Sequence, residues 1–261
     1  MMWRPMDPEH PLYDPEKDLP YAQVISSIYV QLDAVVGDTL DTLGPDDTLV
    51  VMSDHGFTSW RRRFNLNGWL RDEGYLTPLD RSGRNDPGFL TNVDFPRTRA
   101  YAIGLNGLYL NVRGRERQGT VSPSERKALV DEIADKLLAV VDPATGQNAI
   151  TKVYKSEEYY EDAGELAIGP DLIVGYAKRT GSSDESAGGT VAGEVFSDNP
   201  MQWSGDHRMD HETVPGVLFT SRPLKRPVTR LKDLAAALLA EFGVEGFPPP
   251  RQETGRETKG H

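Results

Sequence analysis

The 261-residue chain contains no cysteine. That excludes disulfides, thiolate metal sites and a cysteine nucleophile, and it leaves the redox compartment open. The chain also lacks a positive balance: 29 Lys and Arg face 40 Asp and Glu, a formal net charge of −11. A protein of that sign does not bind a nucleic-acid backbone by counterion release. It repels phosphate esters at long range as well, so such a substrate requires local cations or metal. No apolar run approaches the ~20 residues that span a bilayer. Residues 1–18, MMWRPMDPEHPLYDPEKD, have no hydrophobic signal core. No localisation is assigned: read alone the chain is cytoplasmic, and a signal peptide upstream of Met1 would change that. No internal repeat, Walker A loop, Ser-His-Asp signature or EF-hand spacing is present.

What is there is organised around Leu49-Val50-Val51-Met52-Ser53-Asp54-His55-Gly56-Phe57. An apolar, β-branched run stops at an Asp-His pair and a glycine. Ligands of open α/β sheets bind at the carboxyl ends of strands. A carboxylate beside an imidazole at such an end is a natural divalent-metal corner. The surrounding pattern is mixed α/β. Residues 1–20 read as a Pro-rich loop. A helix is expected over 20–43, with Val24, Ile25, Ile28, Leu32, Val35, Val36 and Leu40 on its apolar face. Gly44-Pro45 ends it, and Thr48–Met52 reads as a strand apolar on both faces, as in a parallel sheet.

Further on, a short helix is expected from Asn65 to near Gly74, and one or two strands within Tyr101–Val112. Ser122-Pro123-Ser124-Glu125 reads as a capping box, opening a helix to about Val141. Its apolar side holds Leu129, Val130, Ile133, Leu137 and Leu138. Ile150–Lys155 and Leu172–Gly175 read as strands. Residues 178–200 read as one long Gly/Ser-rich loop. Val214–Thr220 reads as an edge strand because of Pro215, and Leu231–Phe242 as an amphipathic helix closed by Gly243.

Three histidines are candidates for chemistry: His55, His207 and His211. His207 and His211 stand four apart, but Arg208 breaks the HExxH pattern of zinc helices. A structural or surface role is the alternative for each. Arg61-Arg62-Arg63 reads as a solvated loop or, more sharply, as a contact to phosphate or to an acidic substrate. Glu157, Glu158, Glu161, Asp162 and Glu165 read as a solvated acidic loop.

Val51-Met52-Ser53-Asp54-His55-Gly56-Phe57 resembles the second metal motif of the alkaline phosphatase superfamily. Within it, the closer likeness is to the type I phosphodiesterase/nucleotide pyrophosphatase branch and its bacterial phosphohydrolase/phosphomutase-like relatives. Gly205-Asp206-His207-Arg208-Met209-Asp210-His211-Glu212 is similar to the late Gly-x-His loop of that family. The resemblance covers roughly residues 1–245. It implies the C-terminal portion of a doubly wound α/β sandwich, with a small inserted α+β region at about 77–178 and a polar tail at 246–261. It implies two divalent ions, zinc first and manganese or magnesium as alternatives. Asp54 and His55 would hold one ion and His207 would serve the other.

The family's early metal-binding Asp, its nucleophilic Thr or Ser and its Asp-x-x-x-His pair have no counterpart here. They are expected upstream of Met1, and no catalytic residue is assigned within the chain. Asp7 and His10 resemble a segment that follows that pair and are not promoted to ligands. The implied function is metal-dependent hydrolysis of a small phosphoester or phosphodiester, weak or absent in this chain alone. A non-catalytic remnant keeping half of a metal site, and a phosphomutase- or phosphotransferase-like relative, are the alternatives. Unpaired strand edges would favour oligomerisation or association.

Overall fold

The computed structural model describes residues 2–80, 82, 86–160 and 163–244. The expected tail at 246–261, together with Glu161, Asp162 and the Glu165 side chain of the acidic loop, lies outside the described residues. The architecture is mixed α/β, in two compact units. Residues up to Ile28 and Phe57–Pro215 make the first; Tyr29–Gly56 and the chain from Gly216 onward make the second.

The first unit is built on a four-stranded antiparallel sheet in the order Ala100–Ile103, Gly107–Leu110, Leu172–Tyr176, Ile150–Lys155. The first two strands form a hairpin in the register Ala100↔Leu110 to Ile103↔Gly107. The helix Arg126–Leu138 packs on the strand Ile150–Lys155. Leu129, Val130, Ile133, Ala134 and Leu137 form its buried face, one stripe of the 3.6-residue period. Each large aliphatic buried there stabilises the fold by about 1.5–3 kcal/mol. Leu138, expected on that face, is exposed, because it lies one residue round the helix from Leu137. The carboxylate arm of the expected capping box is made: the Ser122 N–H donates to Glu125 Oε2 over 3.0 Å.

A second sheet joins Thr180–Ser182, Arg62–Phe64 and Phe196–Asp198, parallel on one side and antiparallel on the other. Residues 178–200 are therefore not one long loop. Small side chains allow the close approach: a Cβ on Gly181 would sit 3.0 Å from Trp60 Nε1. The short helix Leu66–Asp72 is capped by Asn65, whose side-chain oxygen accepts from the Gly68 N–H. A two-residue ribbon, Thr58–Ser59 with Gly205–Asp206, completes the unit.

The helix Val24–Thr42 falls inside its expected span, but none of its residues is buried. Periodicity marks a face and does not supply the surface that covers it. In the second unit Val50–Met52 pairs antiparallel with Leu218–Thr220, Val50 opposite Thr220. The parallel pairing expected for this strand is not formed. Its apolar run lies in a two-stranded ribbon, half-buried and exposed rather than covered on both faces. The partner strand starts at Leu218, beyond Pro215, which has no N–H for a ladder, and Gly216. The helix Leu231–Glu241 matches its expected span closely. Among the described residues no helix is long and apolar enough to cross a membrane.

Candidate metal corner and the histidine loop

In the second unit, the ribbon delivers Ser53 to the head of the Asp-His pair. The Ser53 N–H donates to Val217 O over 3.0 Å, and the Val217 N–H returns a bond of the same length to Ser53 Oγ. Gly216 is needed beside it, because a Cβ there would lie 2.7 Å from Ser53 O. The His55 N–H donates to Asp54 Oδ1 over 3.0 Å, which folds the carboxylate back over the next residue. His55 Nδ1 lies 2.8 Å from Gly56 O. A carbonyl only accepts, so Nδ1 carries a proton in this bond and Nε2 is the nitrogen on the Asp54 side.

That Nε2 lies 3.5 Å from Asp54 Oδ2. Two ligands on a tetrahedral zinc, each at about 2.0–2.2 Å, are separated by about 3.3 Å, so the pair fits one edge of a coordination sphere. The Asp54 carboxylate is 72% exposed.

His207 belongs to the first unit. One step along the ladder from the pair Asp206↔Thr58 come His207 and Phe57, with ring centroids 5.5 Å apart. The last residue of the first motif thus meets the histidine of the second. Asp206, buried beside His207, does not offer a free carboxylate. Its Oδ1 accepts from the N–H groups of His207 (2.7 Å) and Arg208 (3.1 Å), and its Oδ2 from Arg208 Nε (2.5 Å). His207 is therefore a single donor at this point. Among the described residues no group of three or more His, Asp or Glu is arranged to hold a metal ion.

The loop carrying His207 is anchored from below. Asp210 is 1% exposed and accepts from the Tyr154 hydroxyl over 2.7 Å and from the Glu212 N–H over 2.9 Å. The Asp210 N–H donates to Tyr176 O over 2.9 Å. Any side chain on Gly175 would overlap Asp210 Oδ2. Burial, reinforced by the bond to Asp210, raises the pKa of Tyr154 and keeps its hydroxyl a donor. His211 Nδ1 lies 3.0 Å from the same hydroxyl, so His211 serves this anchor rather than standing beside His207 as a second ligand. The signal in the sequence was Gly175 inside a strand, which marks close approach by another group.

The Arg61–Arg63 run is not a solvated loop, and each of its guanidinium groups is ion-paired within the protein. Arg61 is paired with Asp7 and Glu9, Arg62 with Asp142 and Asp198, and Arg63 with Glu185. Asp7 and His10 are likewise engaged. Burial works to raise the pKa of Asp7, but bonds from Arg61 and Ser59 outweigh it and hold the carboxyl below its usual value. His10 Nδ1 accepts from the Leu12 N–H (3.1 Å) and its Nε2 donates to Trp60 O (3.1 Å).

Among curated proteins, none matches this chain. Human ectonucleotide pyrophosphatase/phosphodiesterase 5 (ENPP5, NPP5) is similar in its solved structure, with a TM-score of 0.38 and 14% sequence identity, over 93% of this chain and 52% of that one. The chain spans about half the length of that protein. The sequence pattern of the type I phosphodiesterase / nucleotide pyrophosphatase family matches residues 6–207. That match runs through the Asp54-His55 corner and closes on His207, and it takes in most of the chain. The protein belongs to the type I phosphodiesterase / nucleotide pyrophosphatase family.

Proposed function

We propose that this chain is a metal-assisted hydrolase of small phosphoesters and phosphodiesters, in which Asp54 and His55 hold one divalent ion and His207 contributes to a second. The observation that carries the reading is the Asp54–His55 pair, an oxygen and a nitrogen donor 3.5 Å apart at the exposed end of a strand. Family membership supplies the reaction class. Zinc suits that donor pair first, with manganese or magnesium as alternatives. A bound ion would polarise a phosphoryl oxygen and offset the charge that develops on it.

Asp54 brings the negative charge that attracts the ion, and Gly56 O fixes which nitrogen of His55 faces it. Two donors at one point and one at the other fall short of the three or more that a catalytic zinc takes from protein. Turnover by this chain is therefore slow. The same count favours, as the second reading, a metal-binding remnant with no turnover.

Zinc titration by calorimetry, paired with hydrolysis of bis-(4-nitrophenyl) phosphate in zinc or manganese, separates them. Micromolar zinc binding is expected. Asp54→Ala and His55→Ala each weaken it by roughly tenfold or more, since loss even of an outer partner costs that much. Slow nitrophenol release, lost in Asp54→Ala, supports the hydrolase; binding without release selects the remnant. Zinc binding unchanged in both variants would sink the corner itself.

A further inference from the structure

Three aromatic rings of the first unit stand in a row that ends on His207. Trp3 and Phe57 are stacked, with ring centroids 6.0 Å apart and planes 20° apart. Phe57 lies 5.5 Å from the His207 ring, tilted by 41°. Both spacings fall in the range where ring contacts favour particular orientations. Phe57 is the shared member, so its support by Trp3 bears on His207.

Trp3 is a fixed support. Its carbonyl accepts from the Met6 N–H over 3.1 Å, closing the short turn Arg4–Met6. The next residue ties that turn to the ribbon. The Arg4 N–H donates to Ser204 Oγ over 3.0 Å, and buried Asp18 holds the Arg4 guanidinium. The indole lies so close to the ribbon that a Cβ on Gly205 would sit 2.1 Å from Trp3 Cδ1. Gly205, two residues before His207 and opposite Ser59, is the residue that admits the indole.

The ribbon is too short to fix His207 by its ladder alone. It has two residues per strand, and an isolated two-stranded ladder is marginal in water. Asp206 does not hold the ring by a hydrogen bond: its Oδ1 is 3.7 Å from Nδ1. Both of its oxygens are committed to Arg208 and the backbone. A metal-binding histidine works best when a neighbour sets its ring orientation. We propose that Trp3 is a positioning residue for His207: stacked on Phe57 and seated on Gly205, it sets the orientation in which the imidazole presents its donor nitrogen. This rests on the hydrolase reading above for what His207 does, and not for how its ring is held.

The test follows the histidine Cε1–H signals of the full chain by NMR in zinc-free buffer, with His207 assigned through His207→Ala. Trp3→Leu keeps apolar bulk and removes the ring. It is expected to shift the His207 signal toward that of an unstructured histidine, because Phe57 no longer holds its ring current over the imidazole. The His211 signal stays in place. Trp3→Phe keeps the wild-type His207 signal, and Gly205→Ala, which displaces the indole, moves it as Trp3→Leu does. An unmoved His207 signal in Trp3→Leu overturns the proposal. So does an equal shift of His211, since Trp3 would then hold the whole loop rather than one ring. Zinc titration by calorimetry adds the functional readout. Trp3→Leu weakens zinc binding about tenfold, the scale on which supporting partners act on metal affinity, and adds nothing further in a His207→Ala background. Weakening that persists in that background overturns the proposal. A shifted His207 signal with unchanged zinc binding leaves the positioning standing and removes His207 as a metal donor. An unmoved signal, with zinc binding that still depends on His207, does the reverse.

Discussion

Two adjoining stretches of this chain invert what hydropathy promises. Residues 2–20 are polar and rich in proline, yet Asp7, His10 and Asp18 are buried at 8%, 3% and 1% exposure. The helix Val24–Thr42 is apolar and periodic, yet Ile28, Leu32, Val35 and Leu40 are 45–59% exposed. The first stretch is held by partners that can satisfy its charges. Arg4 binds Asp18 through two nitrogens, Nε at 2.9 Å and Nη2 at 2.7 Å, and the Arg4 N–H reaches Ser204 Oγ at 3.0 Å. The second has a stripe and no cover. Burial follows from what a neighbour offers, and an ion pair or a carbonyl can offer as much as a methyl group.

The sharpest way to break this comparison is to remove one group from each side. Asp7→Ala leaves the Arg61 side chain, only 15% exposed, without its nearest carboxylate. Breaking a buried pair by one partner costs about 3–5 kcal/mol, and Glu9, the exposed second partner of Arg61, offsets part of that. Leu32→Ala in the exposed helix should change stability by no more than about 0.5 kcal/mol. Urea unfolding of both variants measures this. If Leu32→Ala costs as much as Asp7→Ala, the helix is covered in solution and the contrast is false.

A smaller effect is expected where the His207 loop meets the sheet. Tyr154→Phe keeps the ring and removes the hydroxyl that donates to Asp210. A hydrogen bond to a buried carboxylate is worth about 1.5–3 kcal/mol. Part of the loss falls on the loop that carries His207, so local protection there should fall alongside stability. Amide exchange at 205–213 follows the loop directly. Unchanged protection there would show that Asp210 is held well enough by backbone alone.

Much of the scaffold was legible in the sequence. Arg126–Leu138 lay within its expected span because its apolar stripe and the strand beside it agree. Ile150–Lys155 was placed to the residue, and Leu172–Tyr176 to within one. Pairing was less legible. The run Leu49–Met52 has the composition of a doubly covered parallel strand, but a strand's own sequence does not name its partner. Charge was least legible. Arg62 and Arg63 alternate along a strand with Arg61 just before it, and each finds its carboxylate far along the chain, at Asp142, Glu185 and Asp7. No local pattern signals a pairing across 80 or 122 residues. Of the site, the Asp54-His55 corner could be named from the abrupt end of a strand. The contact between Phe57 and His207 could not be, because it depends on a ribbon of two residues per strand.

The smallest expected effect isolates the polar stretch by pH. Burial lowers the pKa of His10 from the ordinary 6.5; the bond to Trp60 O and the charge of Asp7 raise it less, and Arg4 and Arg61 add to the lowering. The native state therefore holds His10 neutral where the unfolded chain begins to protonate it. A group of this kind contributes its full stability above the unfolded pKa. As pH falls below about 6.5 the unfolded state binds more protons, and the contribution fades until the folded pKa is passed. The slope from one such group is at most about 1.4 kcal/mol per pH unit. His10→Gln removes this titration and leaves His55, His207 and His211 in place, so subtracting the two stability profiles cancels their share. The difference between wild type and variant should shrink as pH drops from 7 toward acid, at constant ionic strength. A difference that stays flat across that range would mean that folding leaves the His10 pKa unchanged, and one that grows toward acid would mean that its bond to Trp60 O holds a charge rather than a neutral ring.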